Sequence, residues 1–505
     1  MVPDKNTADY LFRQRWCNFK EEIRLNKIEN LNFMSLPFDK GDKMLTIGKV
    51  TLSPHNEEPI RYFMMPVAKA QKDETDVIMI DGKPYVDALQ RPDYWQKMNE
   101  FFRQNGNNVT FPNGWKLQYK SLVAPEFMEP HRGSASRPLG VQQSNTTLAV
   151  GDNEIAFKLE RMLQFSKKEN PEFEMNEKLM REECSVMPKT YGYLVLHNPE
   201  NGTQASSGII QEYVQNQGDL WNYAQAYLKK RLTAGYLMQK DLTPNENPHF
   251  IHLMKTLGEK TSEMSECLSR SDNNPAFTPE PITKRFVHLY QKHLEFLFAK
   301  TKTAISDNLE NLPEQTKEKA SHLLQNWDKL SKDYVQKLIS GTAESNDTLV
   351  RVHGDFHLGQ VMVTKDNDLR FIDFAGEPAA PFDERAQKHV SVRDLAGMYR
   401  SIKGYLGNAA VEEFVAEASD EISAKSRRSY AEKDIKPLID ESSRLVLNGH
   451  SLKEAWLGLE VLRKNLYEVN YEVSNRPQMA YIAINGLADM MQSENKAART
   501  KGKTR

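Results

Sequence analysis

Apolar and polar residues alternate through about the first 90 positions of the chain, a period-two pattern that predicts strands. Met44–Ser53 (MLTIGKVTLS) and Ile60–Ala68 (IRYFMMPVA) read as a pair of strands, and the polar Pro54–Pro59 between them reads as a hairpin loop. Asp76–Leu89 repeats the pattern around Asp81-Gly82, a dipeptide suited to a type I′ turn. The spacing turns helical at Arg91 and stops at Asn105-Gly106. A second β-rich stretch follows. Thr146–Glu160 predicts two strands around Gly151–Asn153, and Asn170–Cys184 a helix with Asn170 as cap and Pro171 in its first turn. Thr190–Leu196 and Ser207–Val214 predict two more strands. Hairpin, helix, strand, strand is the minimal outline of a kinase-type N-terminal lobe.

After Gln215 the period is helical. Trp221–Leu237, Phe250–Arg270, Ile282–Leu309, Pro313–Ser340, Val411–Ser426 and Ser451–Val473 suit amphipathic helices, with a Pro- and Asn-rich loop at Asn273–Pro281. One β-like interruption, Thr348–Pro378, reads as strand, loop, strand, turn, strand. A polar insertion inside a helical region is where chemistry is expected.

Composition narrows the class. The 505 residues suggest about three domains, and 39% hydrophobic with 27% charged residues is ordinary globular usage. With 67 basic and 69 acidic residues the net charge is -2, which argues against a nucleic-acid surface. Cys17, Cys184 and Cys267 are far apart and form no CxxC spacing, so neither a disulfide framework nor a zinc ribbon is expected, and a reducing cytoplasm fits. No apolar run is long enough for a membrane span, and the start carries no apolar signal core. The basic tail with Lys496, Arg499, Lys501, Lys503 and Arg505 reads as a solvated terminus.

The strongest chemical signal is His353-Gly354-Asp355-Phe356-His357-Leu358-Gly359-Gln360, followed by Ile372-Asp373-Phe374. Phosphoryl transfer needs a carboxylate to take the proton of the attacking hydroxyl and oxygen ligands for magnesium. Asp355 is the candidate base, and Gln360 and Asp373 are the candidate metal ligands. His353 and His357 beside Asp355 also admit a zinc or iron reading, but no supporting His or Cys lies nearby. His353 is expected to brace the loop, with His357 supporting it on the substrate side. Lys158, near a strand end, is the candidate cation for ATP phosphates, with Glu174 or Glu172 on the next helix to hold it. The turn Gly140–Val150 is small and polar, so Ser144, Asn145 and Thr146 are candidates to meet phosphate in place of a glycine-rich loop. No Walker motif is present. Ile209–Trp221 passes from apolar strand to polar turn to helix, a hinge where adenine is read on the backbone of Gln211, Glu212, Tyr213 and Val214.

These strings together resemble the maltokinases, within the wider aminoglycoside-phosphotransferase-like kinases, nearly end to end. Tyr10–Lys20 (YLFRQRWCNFK), QQSNTT, NPEFE, IIQEYV, HGDFHLGQV, IDFAGEPAAPFDERAQKHVSVRDLAGMYRS and LYEVNYEVSNRP (Leu466–Pro477) occur in the family's order. The resemblance implies an α+β, bilobal protein-kinase-like fold. Its parts are a β-rich cap subdomain (1–95), an ATP-binding lobe (96–215) and a mostly helical lobe (216–505). It implies a monomeric enzyme using ATP and Mg²⁺ to phosphorylate the anomeric hydroxyl of maltose, for α-glucan synthesis from trehalose, with any trehalose synthase a separate partner. It places Asp394 below the catalytic loop and Arg400 at the substrate. Tyr471, Glu472, Asn475 and Arg476 are the expected sugar contacts, since a disaccharide wants aromatic faces beside bidentate polar groups. Ala375 stands where the family has Glu, Ser265 where it has His, and 410–450 is Lys-, Ser- and Glu-rich. Rival readings are a glucosamine or other hexosamine kinase, a pseudokinase-like binding subunit, and a metal-dependent hydrolase using His353 and His357.

Overall fold

The computed structural model describes residues 2–39, 42–53, 59–140, 145–239, 248–271, 273–342, 347–377, 380, 382–448 and 454–501. The chain forms two compact units. The first is Met1–Arg181 with Pro188–Gln215 and Pro381–Glu384; the second is Glu182–Met187 with Asn216–Ala380 and Arg385–Arg505.

The first unit holds two antiparallel sheets. Strands β1 (Ile28–Asp39), β2 (Lys43–Leu52), β3 (Ile60–Met64), β4 (Val67–Lys69), β5 (Ile78–Ile80) and β6 (Lys83–Asp87) form one of them. Strands β7 (Asn108–Thr110), β8 (Lys116–Ser121), β9 (Ser136–Pro138), β10 (Thr146–Val150) and β11 (Ile155–Leu159) belong to the other. After β12 (Met162–Leu163), which returns to pair with β3, strands β13 (Thr190–Asn198) and β14 (Thr203–Glu212) complete it in the order β7-β8-β13-β14-β11-β10-β9. Strand β1 was not anticipated. Among the described residues it pairs with β2 alone, and such an edge tolerates Pro37, which sits at a register shift. Gly48 on β2 is required by packing, because a Cβ there would lie 2.1 Å from the ring of buried Phe63. Helix α1 (Lys5–Arg13) is capped by Asp4, whose Oδ1 accepts from the Thr7 amide at 3.1 Å. Its Tyr10 and Leu11 join Trp16, Phe19 and Phe63 in one core. Helix α2 (Tyr94–Gln104) puts Trp95 and Phe102 into a second core, together with Leu45 and Ile47 of β2 and Leu148 and Phe157 of the other sheet. The 1–95 segment, expected to be a cap subdomain, therefore shares a core with the second sheet. Helix α3 (Pro171–Arg181) completes the unit's long elements.

The second unit is helical apart from small sheets. Its helices are α4 (Leu220–Met238), α5 (Pro248–Ser269), α6 (Lys284–Asn308), α7 (Glu314–Gln325), α8 (Trp327–Gly341), α9 (Arg393–Tyr399), α10 (Gly407–Val415), α11 (Glu421–Leu447), α12 (Glu454–Asn475) and α13 (Ala480–Lys501). The single helix expected over Pro313–Ser340 breaks at Asn326. The one expected over Val411–Ser426 is two helices, because Asp420 accepts from the Ser423 amide at 2.8 Å and starts a new one. Within the Lys-, Ser- and Glu-rich stretch, the helix Glu421–Leu447 turns Ile435, Leu438 and Ile439 inward and most of its charged residues outward. A three-stranded sheet joins β15 (Asn216–Asp219), β16 (Val361–Thr364) and β17 (Leu369–Phe371). Helix α12 packs against α6, α9 and α13 through fully buried residues such as Trp456 and Leu462. Among the described residues no helix is long and apolar enough to cross a membrane.

Candidate active site

In the first unit, β11 lies between β10 and β14, so Lys158 sits opposite Thr147 and Ile209. Its Nζ lies 3.2 and 3.3 Å from the two oxygens of Glu172, which is buried in the first turn of α3. Asn170 caps that turn by accepting from the Glu172 amide at 2.8 Å. Glu172 thus receives Lys158, while Glu174, the acid put first from the sequence, stands two residues further along, half-buried. Ser144 lies outside the described residues. Asn145 and Thr146, expected at phosphate, accept instead from Arg161: Asn145 Oδ1 from its amide at 3.3 Å and Thr146 Oγ1 from its Nε at 2.8 Å. Arg161 is buried, pairs with Asp87 and lies 5.6 Å from the Trp16 ring centre. A polar turn read as a phosphate cradle is here the anchor of a buried guanidinium, which sequence reasoning missed. The hinge is altered in a similar way. Gln211 donates to Asn176 Oδ1 at 3.3 Å and Thr190 Oγ1 at 3.1 Å. The Glu212 amide donates to Lys189 O at 2.8 Å and the Tyr213 amide to Glu154 O at 3.0 Å. Those two donors, expected to read adenine together with Val214, are engaged within the unit.

In the second unit the candidate catalytic string is a tightly fixed loop. Asp394, in the first turn of α9, accepts from the His353 amide at 2.8 Å and the Gly354 amide at 2.9 Å. Gly354 has φ +87, and α9 approaches so closely that a Cβ on Gly397 would meet Phe356 O at 2.6 Å. His353 Nε2 donates to Ile372 O at 3.0 Å, tying the loop to the segment that leaves β17 towards Asp373. Burial pushes the His357 pKa down against the pull of Asp355, and Asp373 acts on the same ring. His357 Nδ1 accepts from the Gly359 amide at 3.1 Å, so its proton is on Nε2, 3.9 Å from Asp355 Oδ2. Each imidazole of the zinc reading thus spends one ring nitrogen on the loop, His353 Nε2 and His357 Nδ1. Gln360 Nε2 lies 3.3 Å from Asp373 Oδ2, and Asp373 takes the left-handed conformation at φ +68. The Gln360 amide here donates to the carboxylate; with its oxygen turned to the same point, this amide and carboxylate would suit magnesium, which keeps waters and phosphate oxygens as its other ligands.

The feature sequence reasoning missed is Lys464 on α12. Its Nζ lies 3.1 Å from Asp355 Oδ1 and 3.0 Å from Glu377 Oε1. Burial works against its charge, but Glu377 and Asp355 outweigh it and hold the ammonium above its usual range. Arg463 Nη1 lies 3.6 Å from Glu377 Oε2. Burial alone would raise the Glu377 pKa, yet Arg463 and Lys464 bring it down to about 2. A carboxylate depressed on folding stabilises above its unfolded pKa and loses that contribution as pH falls through the folded one. Glu377→Gln is therefore expected to destabilise by up to about 3 kcal/mol at neutral pH. Thermal melts should show this gap closing between about pH 4.5 and 2; a gap independent of pH would remove Glu377 from this account.

The remaining sugar-side expectations separate. Arg400, expected at the substrate, is buried and donates from Nε and Nη2 to Glu468 Oε2 at 2.8 and 2.5 Å. Glu472 is also buried, accepting from Tyr405 Oη at 3.3 Å and Arg476 Nη2 at 2.5 Å, and burial raises its pKa. Arg476 further covers the exposed Tyr471 ring at 5.1 Å. Tyr471 and Asn475 line an open groove of about 700 Å³ between α12 and α6, with Tyr467 and Phe296. The Tyr467 ring centre lies 4.9 Å from Lys464 Nζ, which ties the groove's end to the catalytic loop.

No family model matches the chain. A glucosamine kinase from Streptacidiphilus jiangxiensis is 23% identical over 269 residues, 53% of this chain and 54% of the relative. The chain thus spans about half the length of the curated relative it matches. The solved structure of a glucosamine kinase in complex with glucosamine, ADP and inorganic phosphate superposes with a TM-score of 0.57 at 17% identity, covering 97% of this chain and 100% of that one. A second glucosamine kinase structure, crystal form A, gives 0.56 at 18% identity, covering 92% of this chain and 91% of that one. None of these likenesses singles out the maltokinases. The chain has the protein-kinase-like α+β fold of the glucosamine kinases.

Proposed function

We propose that the protein transfers the γ-phosphoryl group of ATP to a sugar hydroxyl with the help of magnesium. The carrying observation is the loop in which Asp394 fixes Gly354 beside Asp355 while the Gln360 amide lies 3.3 Å from the Asp373 carboxylate. In this reading Asp355 accepts the hydroxyl proton, and Lys158, held by Glu172, orients the phosphates. Gln360 and Asp373 would hold magnesium, which offsets phosphate charge. The division of labour follows the segments 96–215 for nucleotide and 216–505 for chemistry and acceptor. The resemblance of HGDFHLGQV and LYEVNYEVSNRP to the maltokinases favours maltose, phosphorylated at its anomeric oxygen by a cytoplasmic monomer, with any trehalose synthase a separate chain. Glucosamine is the second reading, supported by the names of the similar proteins.

The test is an acceptor screen with ATP and Mg²⁺ over maltose, glucose, glucosamine and trehalose, with product NMR to locate the phosphate. Sugar-dependent ADP release is expected. Asp373→Ala should raise the Mg²⁺ requirement about tenfold or more, because magnesium is held by few protein ligands. Acceptance of none of these sugars, or activity that Zn²⁺ restores and Mg²⁺ does not, sinks the proposal.

A further inference from the structure

The carboxylates of the second unit share one property. Each buried one among the described residues accepts from a donor through at least one oxygen, and so does the half-buried Asp355, though Glu472 Oε2 is left without a partner. Lys464 holds Asp355 and Glu377. Arg463 holds Glu460 at 2.7 Å and reaches Glu377. Arg400 holds Glu468, Arg476 holds Glu472, and Arg231 holds Asp434. Asp394 is taken by the two loop amides. A protonated amine on a sugar has only donors, and a dry site accepts it only where a carboxylate stands ready. None does here. The nearest fixed charge to the oxygens of the base is instead another ammonium.

A hydroxyl that gives its proton to Asp355 brings its neighbouring substituent close to Lys464, which is itself within hydrogen-bond reach of that carboxylate. A hydroxyl in that position accepts from an ammonium as readily as it donates to a carboxylate. Two of the three Lys464 N–H groups go to Asp355 and Glu377, and the third can be given to a sugar oxygen. An ammonium in that position meets a like charge in a buried setting, where screening is weakest.

We propose that Lys464 is a specificity-determining residue: it admits acceptors with a hydroxyl beside the accepting oxygen and excludes those with an ammonium there. This rests on the sugar-kinase reading above and decides, within it, against amino sugars.

The test compares kcat/KM for the better of maltose and glucose with that for glucosamine, in the wild type, Lys464→Met and Lys464→Arg. Glucose and glucosamine differ only at the carbon beside the anomeric hydroxyl, the accepting oxygen in the maltose reading. The wild type should favour the uncharged sugar at least tenfold. Lys464→Met should shrink this ratio at least tenfold, and Lys464→Arg, which keeps the charge, should preserve it. Should Lys464→Met fail to fold, competition in the wild type gives the second readout. Glucosamine should inhibit with a constant at least tenfold above the KM of the uncharged sugar. Preference for glucosamine, equal competition by it, or a ratio unmoved by Lys464→Met overturns the inference and leaves the sugar-kinase reading standing. ADP release with none of the sugars overturns that reading, and this inference with it.

Discussion

Asp355→Asn will leave ATP binding close to normal and lower turnover by about 10²–10⁴, the usual effect of removing a general base. The substitution is isosteric, and Lys464 keeps Glu377 at 3.0 Å, so the buried ammonium is not stranded. The backbone on either side is held independently by Asp394 and by His353 on Ile372 O. The loss should therefore fall on the proton transfer alone. Titration of nucleotide binding and single-turnover phosphate transfer separate the two terms. An undiminished kcat would take Asp355 out of the role of base.

The second large effect is expected at Asp394, which touches no reacting atom. Its two oxygens serve two loop amides at 2.8 and 2.9 Å, and the carboxylate is buried. Deleting it leaves both donors without an acceptor, at about 1–3 kcal/mol each. Asp394→Ala should thus destabilise the protein by about 2–5 kcal/mol. Its kcat should fall about a hundredfold or more, because a displacement of the base by an ångström is felt at that level. Asp394→Asn retains one acceptor oxygen and should recover part of both. Denaturant unfolding and kcat are the measurements. A variant that melts with the wild type and turns over within threefold of it would show that the loop holds its shape by other means.

The legibility of the sequence depends on the range of the interactions. The loop that carries the candidate catalytic residues was legible because His353 to Asp373 form one contiguous stretch whose geometry is set by a hairpin, loop and next strand together. Helix positions matched the apolar period, but the breaks at Asn326 and before Asp420 carry no Pro or Gly to announce them. Lys464 was invisible for a different reason. It is one of 67 basic residues, and 109 positions separate it from Asp355. Arg161 was hidden in the same way: nothing local says that a cation 15 or 16 residues downstream will occupy the side chains of Thr146 and Asn145. Glu472 and Arg476, four residues apart on a helix, have the spacing of a generic intrahelical pair, and the structure pairs them so. Aromatic and polar residues grouped on one helix marked a surface of interest without saying which side chains face out.

Between α9 and α10, residues Arg400–Leu406 wind as a π-helix. Such a segment amounts to one surplus residue in a helix that otherwise continues, and each residue of an α-helix turns the next by about 100°. The surplus residue sets the phase of every later position in the helix, including the placement of Tyr405 against Glu472. With one residue fewer here the helix would run straight through as α-helix, turning Tyr405 away from Glu472 and leaving that carboxylate one donor fewer. Relatives that lack the insertion should align here only across a one-residue gap, and in them a different side chain must answer for that carboxylate.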